Sequence, residues 1–345
     1  MSAQLKEKLA KIVYPGRTET FGELGLLGEV EENRVRIDLP SPAIRRDKEF
    51  TDLVRQAAGS NIEVTFQKEQ IATPKGLGSS LLSSAKNIVA VASGKGGVGK
   101  STLACNLAAA LAKMGCTVGV MDSDVYGPSQ PHLLGLGEHT LMIKDKRIMP
   151  AEAHGVKMMS MGFLMKPGQA VIWRGPMLHG MMNQFCKDVE WGELDFMIID
   201  MPPGTGDIAL SLSQIVDITG SLIVSTPQDL ALDVATKAVE MFNKLEVPIL
   251  GMAENMSYYC CPECGHRDDI FNHGGAQEAA KRLGLEVLGE IPLNSALRKA
   301  GDAGVPAVLH APESAPAKAL MELASVVAER VSLEAKKMEL QAASV

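Results

Sequence analysis

NIVAVASGKGGVGKST, residues 87–102, is a short apolar run that leads directly into a glycine-rich loop. The apolar run is typical of a buried strand, because it is short and continuous. GKGGVGKS at 94–101 satisfies the pattern G-x-x-x-x-G-K-[ST] of a phosphate-binding loop, and an alanine- and leucine-rich helical pattern follows it. Strand, loop and helix in this order predict a nucleotide-binding domain.

The residue types in this loop suit a nucleotide triphosphate with its metal ion. Glycines let successive backbone N–H groups face phosphate oxygens, and the N-terminus of the following helix adds a positive dipole. Lys100 can neutralise the terminal phosphates, and the Ser101 hydroxyl can bind Mg²⁺. We therefore expect ATP and Mg²⁺ to bind here. The predicted binding residues of the loop are Gly94, Lys95, Gly96, Gly97, Val98, Gly99, Lys100, Ser101 and Thr102.

The remaining pattern predicts an α/β fold with a small domain in front of the nucleotide-binding domain. Residues 1–67 alternate strand-like and helical stretches and predict a small α/β domain, and residues 68–86 are rich in Gly, Ser and Pro, as linkers are. In residues 87–345, apolar strands alternate with amphipathic helices up to a long terminal helix. This alternation predicts a mostly parallel sheet with helices on both faces.

Carboxylates follow two of the predicted strands. Asp122 and Asp124 close VGVMDSD, and Asp200 closes FMIID. Ligands bind at the carboxyl edge of such sheets, so Asp200 is predicted to hold Mg²⁺, directly or through water. Asp122 and Asp207 are supporting candidates, and the alternative for each is a turn or helix cap. Asn255, at another strand end, could offer its amide to an adenine base.

Composition limits the possible functions. Of the 345 residues, 46% are hydrophobic and 22% are charged, which is typical of a folded globular protein. The net charge of −7 argues against general binding to nucleic acid or to anionic membranes. No apolar run approaches the ~18 residues of a spanning helix, and the first residues, MSAQLKEKLAKIV, are charged where a signal peptide is apolar. We therefore expect a cytoplasmic protein.

Three of the six cysteines lie close together in the motif CCPEC. Cys261 and Cys264 form a C-x-x-C pair next to Cys260, whereas Cys105, Cys116 and Cys186 lie in patterns typical of a packed core. A C-x-x-C pair can be a redox pair, and with Cys260 and His266 it could form a zinc site in one chain. A [4Fe–4S] cluster needs four thiolates, which two copies of the motif would supply across a two-fold dimer.

Seven phrases occur here in one order. They are SGKGGVGKST, MDSDVYGPS, WRGPM, LDFMIIDMPPGTGD, STPQDLAL, ENMSYYCCPECGH and GEIPL. With them the chain resembles the Mrp/ApbC family of iron–sulfur cluster carrier ATPases over roughly residues 85–330. Lys95 in the loop is typical of the wider group of deviant Walker A P-loop ATPases, which includes ParA and MinD.

The resemblance implies a homodimer that binds ATP, hydrolyses it slowly and holds a labile [4Fe–4S] cluster between Cys261 and Cys264 of two chains. Such proteins pass the cluster to apo iron–sulfur client proteins and work with cluster assembly factors. The resemblance further implies catalytic roles for Lys95, Lys100 and Asp124. By this resemblance, we expect Lys95 to reach the partner subunit's nucleotide, Asp124 to orient the attacking water and Asn255 to bind adenine.

Two other functions remain open at this point. A nucleotide-driven reductase, like the nitrogenase iron protein, would keep its cluster and pass on electrons. A positioning ATPase of the ParA or MinD type would act on DNA or a membrane and would need a basic patch or an amphipathic membrane helix. The C-terminal stretch VAERVSLEAKKMEL is amphipathic, but its acidic residues weaken membrane binding.

Overall fold

The protein divides into two compact units in a computed structural model. The structure describes residues 2–73, 81–125, 127–137, 139–164, 175–204, 207–228, 230–261, 263–271 and 274–342. One unit comprises residues 1–74 together with 328–345, and the other comprises residues 75–327. Among the described residues, no helix is both long enough and apolar enough to span a membrane.

The first unit is a small sheet with helices. Its elements are α1 (Ser2–Ala10), β1 (Leu27–Val30), β2 (Arg34–Leu39), α2 (Asp47–Ala58) and β3 (Glu63–Lys68). Strand β2 pairs antiparallel with β1 and parallel with β3. Phe21 and Phe50 meet edge to face in the core, and Leu333 belongs to the same buried cluster. Arg46 donates from Nε to Glu329 at 2.8 Å, so residues near the C-terminus are integral to this unit.

The second unit begins with β4 (Ala85–Ala92), α3 (Lys100–Lys113), β5 (Val118–Asp122), α4 (Gln130–Leu133), β6 (Met142–Lys144), β7 (Arg147–Met149), β8 (Ala151–Ala153), β9 (Val156–Ser160), α5 (Gly175–Lys187), β10 (Leu194–Asp200) and α6 (Asp207–Ile215). It continues with β11 (Gly220–Ser225), α7 (Leu230–Lys244), β12 (Ile249–Cys260), β13 (Arg267–Asp268), α8 (Gly275–Leu283), β14 (Val287–Leu293), α9 (Ser295–Asp302), α10 (Ala307–His310) and the start of α11 (Ala315–Ala342). A 3₁₀ turn, Met161–Leu164, follows β9.

The central sheet of this unit has the strand order β13-β12-β11-β4-β10-β5-β9-β8, and β14 also pairs with β12, parallel to it. The strands from β12 to β9 run parallel, whereas β13 and β8 are antiparallel to their neighbours. Strand β4 is buried almost throughout, because it lies in the middle of the sheet. The expected mostly parallel sheet is confirmed.

Strand register aligns the carboxyl ends of the middle strands. Asp200 of β10 pairs with Asp122 of β5 on one side and with Val91 of β4 on the other. In the next strand, Asp122 pairs with Ser160 of β9. The phosphate-binding loop leaves β4 at this same edge. The carboxylates and the loop are therefore neighbours in space, although Asp200 lies 100 residues after Lys100 in sequence.

The two units differ from the predicted boundaries 1–67, 68–86 and 87–345. Strand β4 begins at Ala85, inside the predicted linker, because its first residues already pair with β10. At the C-terminus, the boundary between the units falls within α11, and residues 328–345 group with the first unit rather than with the second. The terminal helix itself is present as predicted, but sequence alone gave no sign of this division.

Candidate nucleotide site and thiol hairpin

The loop between β4 and α3 has the backbone shape that its glycines permit. Gly97 and Gly99 have φ angles of 83° and 81°, in the left-handed region that favours glycine. A Cβ atom on Gly99 would collide with Nδ2 of Asn255, so this position needs glycine for space as well as for conformation. Helix α3 starts at Lys100 and points its N-terminal dipole at the loop, an arrangement suited to binding phosphate.

Lys100 and Asp200, predicted separately, form an ion pair that is almost fully buried. The Lys100 ammonium contacts Oδ1 of Asp200 and also donates to the Ser101 hydroxyl at 3.2 Å. The two residues meet because β10 lies beside β4 in the sheet. A lysine, a hydroxyl and a carboxylate, the groups that handle a metal-bound triphosphate, thus lie together at this edge.

Asp122 lies beside this pair, but its oxygens are occupied by the protein itself. Oδ1 accepts the backbone N–H of Asp124 at 3.1 Å, and Oδ2 accepts the backbone N–H of Gln130 at 3.2 Å and the Ser160 hydroxyl at 2.9 Å. Burial raises the pKa of Asp122 to about 7, and the charge of Asp200 adds to the rise. These contacts fit a carboxyl that fastens the loop after β5.

The next three predicted residues of the nucleotide site are Asp124, Lys95 and Asp207. Asp124 is 8% exposed, and its Oδ1 accepts the backbone N–H of Gly127 at 3.2 Å. The Lys95 side chain is exposed, while its carbonyl accepts the Ser93 hydroxyl at 2.9 Å. Asp207 begins α6, but its side chain lies outside the described part of the chain.

Asn255 lies against the phosphate-binding loop. Its Nδ2 donates to the Val98 carbonyl at 2.8 Å, and it lines a cavity of about 320 Å³ together with Gly99 and Thr102. The other lining residues are His132, Leu133, Met256, Pro292, Leu293, Asn294, Leu297, Arg298, Gly301 and Asp302. The cavity can hold a planar base next to the loop.

Cys261 and Cys264 lie in a turn that we call the thiol hairpin, residues 260–267, of which Pro262 lies outside the described residues. Strands β12 and β13 form its two arms, with Cys260 opposite Arg267. The backbone N–H of Cys261 donates to the carbonyl of residue 266 at 2.9 Å, and that of Gly265 donates to the carbonyl of Cys261 at 2.9 Å. The hairpin is therefore closed by backbone bonds, and its thiols remain accessible.

The hairpin favours a thiolate at Cys261. The backbone N–H groups of Cys264 and Glu263, in that order, lower the pKa of Cys261, and the Cys264 side chain adds to the effect. The Cys264 side chain is exposed, and that of Cys261 is partly exposed. Across the described ranges, no group of three or more His, Cys, Asp or Glu side chains is placed to hold one metal ion.

Sequence reasoning missed several residues of these sites. Gln130 and Ser160 hold the buried carboxylates; Ser160 ends a strand at the same edge, so the strand-end rule could have found it, whereas nothing local marked Gln130. Gly265, with a φ of 71°, closes the thiol hairpin and follows the C-x-x-C motif directly. Asn294 contributes to the base-sized cavity and follows β14, another strand end.

Comparisons with known proteins place the chain in a family. Residues 84–328 match the family described as ParA: NUBPL iron-transfer P-loop NTPase. An iron-sulfur cluster carrier protein of Deinococcus radiodurans is 45% identical over 312 residues, which cover 89% of this chain and 87% of that protein. One of Haemophilus influenzae is 40% identical over 341 residues, covering 96% of this chain and 91% of that protein.

A solved structure agrees with this comparison. The nucleotide-binding protein of Archaeoglobus fulgidus in complex with ADP superposes with a TM-score of 0.60 at 40% identity, covering 68% of this chain and 91% of that one. The family match, over residues 84–328, includes both the phosphate-binding loop and the thiol hairpin. This chain therefore belongs to the NUBPL iron-transfer P-loop NTPases of the ParA group.

Proposed function

We propose that this protein is an ATP-dependent carrier that holds a labile [4Fe–4S] cluster between two copies of the chain and transfers it to apo-proteins. The names of its relatives support this proposal, since they are iron-sulfur cluster carrier proteins. Hydrolysis of ATP to ADP and phosphate is slow, because the nucleotide serves as a switch for loading or releasing the cluster. The cluster is cargo, and the client proteins are its acceptors.

In the nucleotide half, the ion pair of Lys100 and Asp200 opens when ATP binds. Lys100 then neutralises phosphate oxygens, while Ser101 and Asp200 hold Mg²⁺, which supplies charge neutralisation on the phosphates. These oxygen donors fit magnesium, which prefers hard oxygen ligands. Asp124 orients the attacking water, and the loop N–H groups and Thr102 orient the phosphates. Little covalent chemistry is needed, because positioning and charge dominate phosphoryl transfer.

In the thiol half, ligand number requires a second copy of the chain. Cys261 and Cys264 are two thiols per chain, and a cubane cluster needs four. The N–H donors that lower the pKa of Cys261 stabilise a negatively charged ligand. Exposure at the hairpin tip leaves the cluster open to an acceptor protein, which favours transfer over storage.

One observation carries the proposal: strand β12 contributes residues to both the nucleotide site and the thiol hairpin. In β12, Asn255 is hydrogen-bonded to the phosphate-binding loop, and Cys260 ends the strand next to the cluster motif. A shared cavity adds to the link, because Phe271, shortly after the thiol hairpin, lines the same small cavity as Lys95. A conformational change that the nucleotide causes in the phosphate-binding loop can therefore reach the thiols along β12.

Anaerobic reconstitution followed by mixing with an apo-target tests the function. The wild-type protein should take up about four irons per dimer and lose both iron and sulfide to the target. Cys261→Ser and Cys264→Ser should each abolish the charge-transfer absorbance, whereas the neighbouring Cys260→Ser should retain it. A protein that keeps its cluster while reducing the target would be a reductase, and four irons per monomer or a stable zinc form would contradict the shared site.

The dimer is tested through Lys95, which we propose to neutralise phosphate on the partner subunit's nucleotide. A Lys95→Ala chain mixed with a Lys100→Ala chain should give heterodimers in which one of the two nucleotide sites lacks both lysines and the other keeps both. Lys95→Ala homodimers should bind ATP but neither close nor hydrolyse normally. Normal closure and turnover in those homodimers would rule out the role across the interface.

A further inference from the structure

Gln130 is a buried amide at the centre of the nucleotide site. It is the first residue of α4, after the loop that carries Asp124, and it is 0% exposed. Glutamine is mostly exposed in folded proteins, so a fully buried one needs polar partners. Its backbone N–H reaches Asp122, but its side chain points to a different pair of residues.

The contacts of the side chain fix which way the amide faces. Nε2 donates to the Ser101 carbonyl at 2.9 Å and to Oδ2 of Asp200 at 2.9 Å. Both partners are acceptors only. The Ser101 carbonyl carries no proton, and the Asp200 carboxylate is paired through its other oxygen with the Lys100 ammonium. The reversed amide would direct its oxygen at two acceptors, so the nitrogen must face them. Gln130 thus ties the phosphate-binding loop to the carboxylate at the end of β10.

This orientation leaves the other end of the amide without a partner. Oε1 of Gln130 is buried and accepts no hydrogen bond from any residue that the structure describes. An unmet acceptor is costly in a buried site, and such groups in native proteins commonly bind an ordered water or serve a ligand. The strongest donor nearby, the Lys100 ammonium, is already engaged with Asp200 and Ser101.

We propose that Gln130 is a positioning residue for the magnesium ion of the nucleotide complex, with Oε1 accepting a hydrogen bond from a water bound to the metal. Magnesium keeps several of its waters in protein sites, and those waters are strong donors. The inference rests on the proposed use of Mg²⁺-ATP at Ser101 and Asp200, and it deepens that use.

The arrangement also explains how Asp200 stays in place during binding. Its two oxygens are divided between Lys100 and Gln130. When Lys100 moves to the phosphates, Gln130 continues to hold Oδ2. The Asp200 carboxylate is therefore already oriented toward the metal when its ion pair with Lys100 opens. The Gln130 amide interacts with the hydrated metal and makes no contact with the phosphates.

The experiment measures how strongly Mg²⁺ tightens ADP binding, as the ratio of the dissociation constants in EDTA and in Mg²⁺, by calorimetry. Gln130→Met should reduce this ratio about tenfold, the value of one hydrogen bond to a charged donor group. Its affinity for ADP in EDTA should stay near that of the wild type. Gln130→Asn, which keeps an amide but withdraws it by one methylene, should show the same loss with less effect on folding.

Asn106→Ala is the matched control, because Asn106 is also a buried amide on the neighbouring helix α3, but both its ends are bonded, to Thr102 and Val308. It should lower the melting temperature without changing the Mg²⁺ ratio. An unchanged ratio in both Gln130 variants would overturn the inference, whether ADP affinity stays the same or falls equally in EDTA and in Mg²⁺. A wild-type protein that binds no nucleotide would instead contradict the proposed function itself.

Discussion

Lys100 and Asp200, a hundred residues apart in sequence, form an ion pair whose side chains are 6% and 0% exposed. Taking two charges out of water is costly, and the pair compensates for it only while both partners are present. The pair therefore holds the lysine away from water, and in the proposed function it opens when a phosphate replaces the carboxylate.

Removing either partner should destabilise the nucleotide-free protein. Lys100→Ala and Asp200→Ala should each lower the free energy of unfolding by about 3–5 kcal/mol, because the remaining charge is buried alone. The double variant should lose less than the sum of the two, since no lone charge remains. ADP without Mg²⁺ should raise the melting temperature of Asp200→Ala but not of Lys100→Ala, and equal effects would contradict the pairing of Lys100 with phosphate.

Alanine substitutions at Gly97 and Gly99 separate the stability cost of backbone strain from that of a steric collision. Both have left-handed φ angles, but a Cβ atom on Gly97 meets nothing within 4 Å, whereas one on Gly99 collides with Asn255. Gly97→Ala should cost about 1–2 kcal/mol of stability through backbone strain alone. Gly99→Ala should cost clearly more in denaturant unfolding of the nucleotide-free protein. Adding Asn255→Ala should recover part of the Gly99→Ala loss but none of the Gly97→Ala loss.

Because the pKa of Asp122 is raised in the folded protein, the free energy of unfolding should fall as pH rises. Its pKa is raised from 3.8 to about 7 in the folded protein, so between these values the folded state holds a proton that the unfolded state has lost. The contribution is therefore fully present below about pH 4 and is lost as pH rises through 7, by at most about 1.4 kcal/mol per pH unit. Subtracting the profile of Asp122→Asn from that of the wild type isolates this slope, and a flat or rising difference would contradict it.

The thiols of the reduced, metal-free protein should differ in reactivity. Cys261 should be alkylated by iodoacetamide first, because its lowered pKa gives more thiolate at neutral pH. Burial raises the pKa of Cys186 to about 12 and also raises the pKa of Cys105, so both should react only after unfolding. Peptide mass spectrometry over time gives the order, and early labelling of Cys186 would show that its site is open.

Leu333 tests the division of the chain into two units. It is 0% exposed within the hydrophobic cluster of the first unit, so Leu333→Ala should destabilise that unit by about 2–5 kcal/mol. Hydrogen exchange should speed up in residues 1–74, while ATP binding by the second unit should persist. The exposed Met338 offers a surface control, and its alanine variant should leave the exchange rates of residues 1–74 nearly unchanged.

Much of the fold and part of the site could be predicted from the sequence, because their signals are local. The phosphate-binding loop needs only consecutive residues, as does the C-x-x-C turn, and apolar strands alternating with helices indicated the parallel sheet. Strand ends at Asp122 and Asp200 were visible as the last residues of apolar runs. In each case the physics that forms the feature acts within one turn or one strand.

Tertiary structure alone decided which of these groups meet. The order and register of the strands bring Asp200 beside Lys100 and Asp122, and no local pattern specifies which strands are neighbours. The same holds for Gln130, whose role depends on two acceptors 29 and 70 residues away, and for residues 328–345, which belong to the unit formed by the start of the chain. Contacts over such distances depend on the packing of the whole domain, so the sequence supplied the chemical groups and the fold determined their partners.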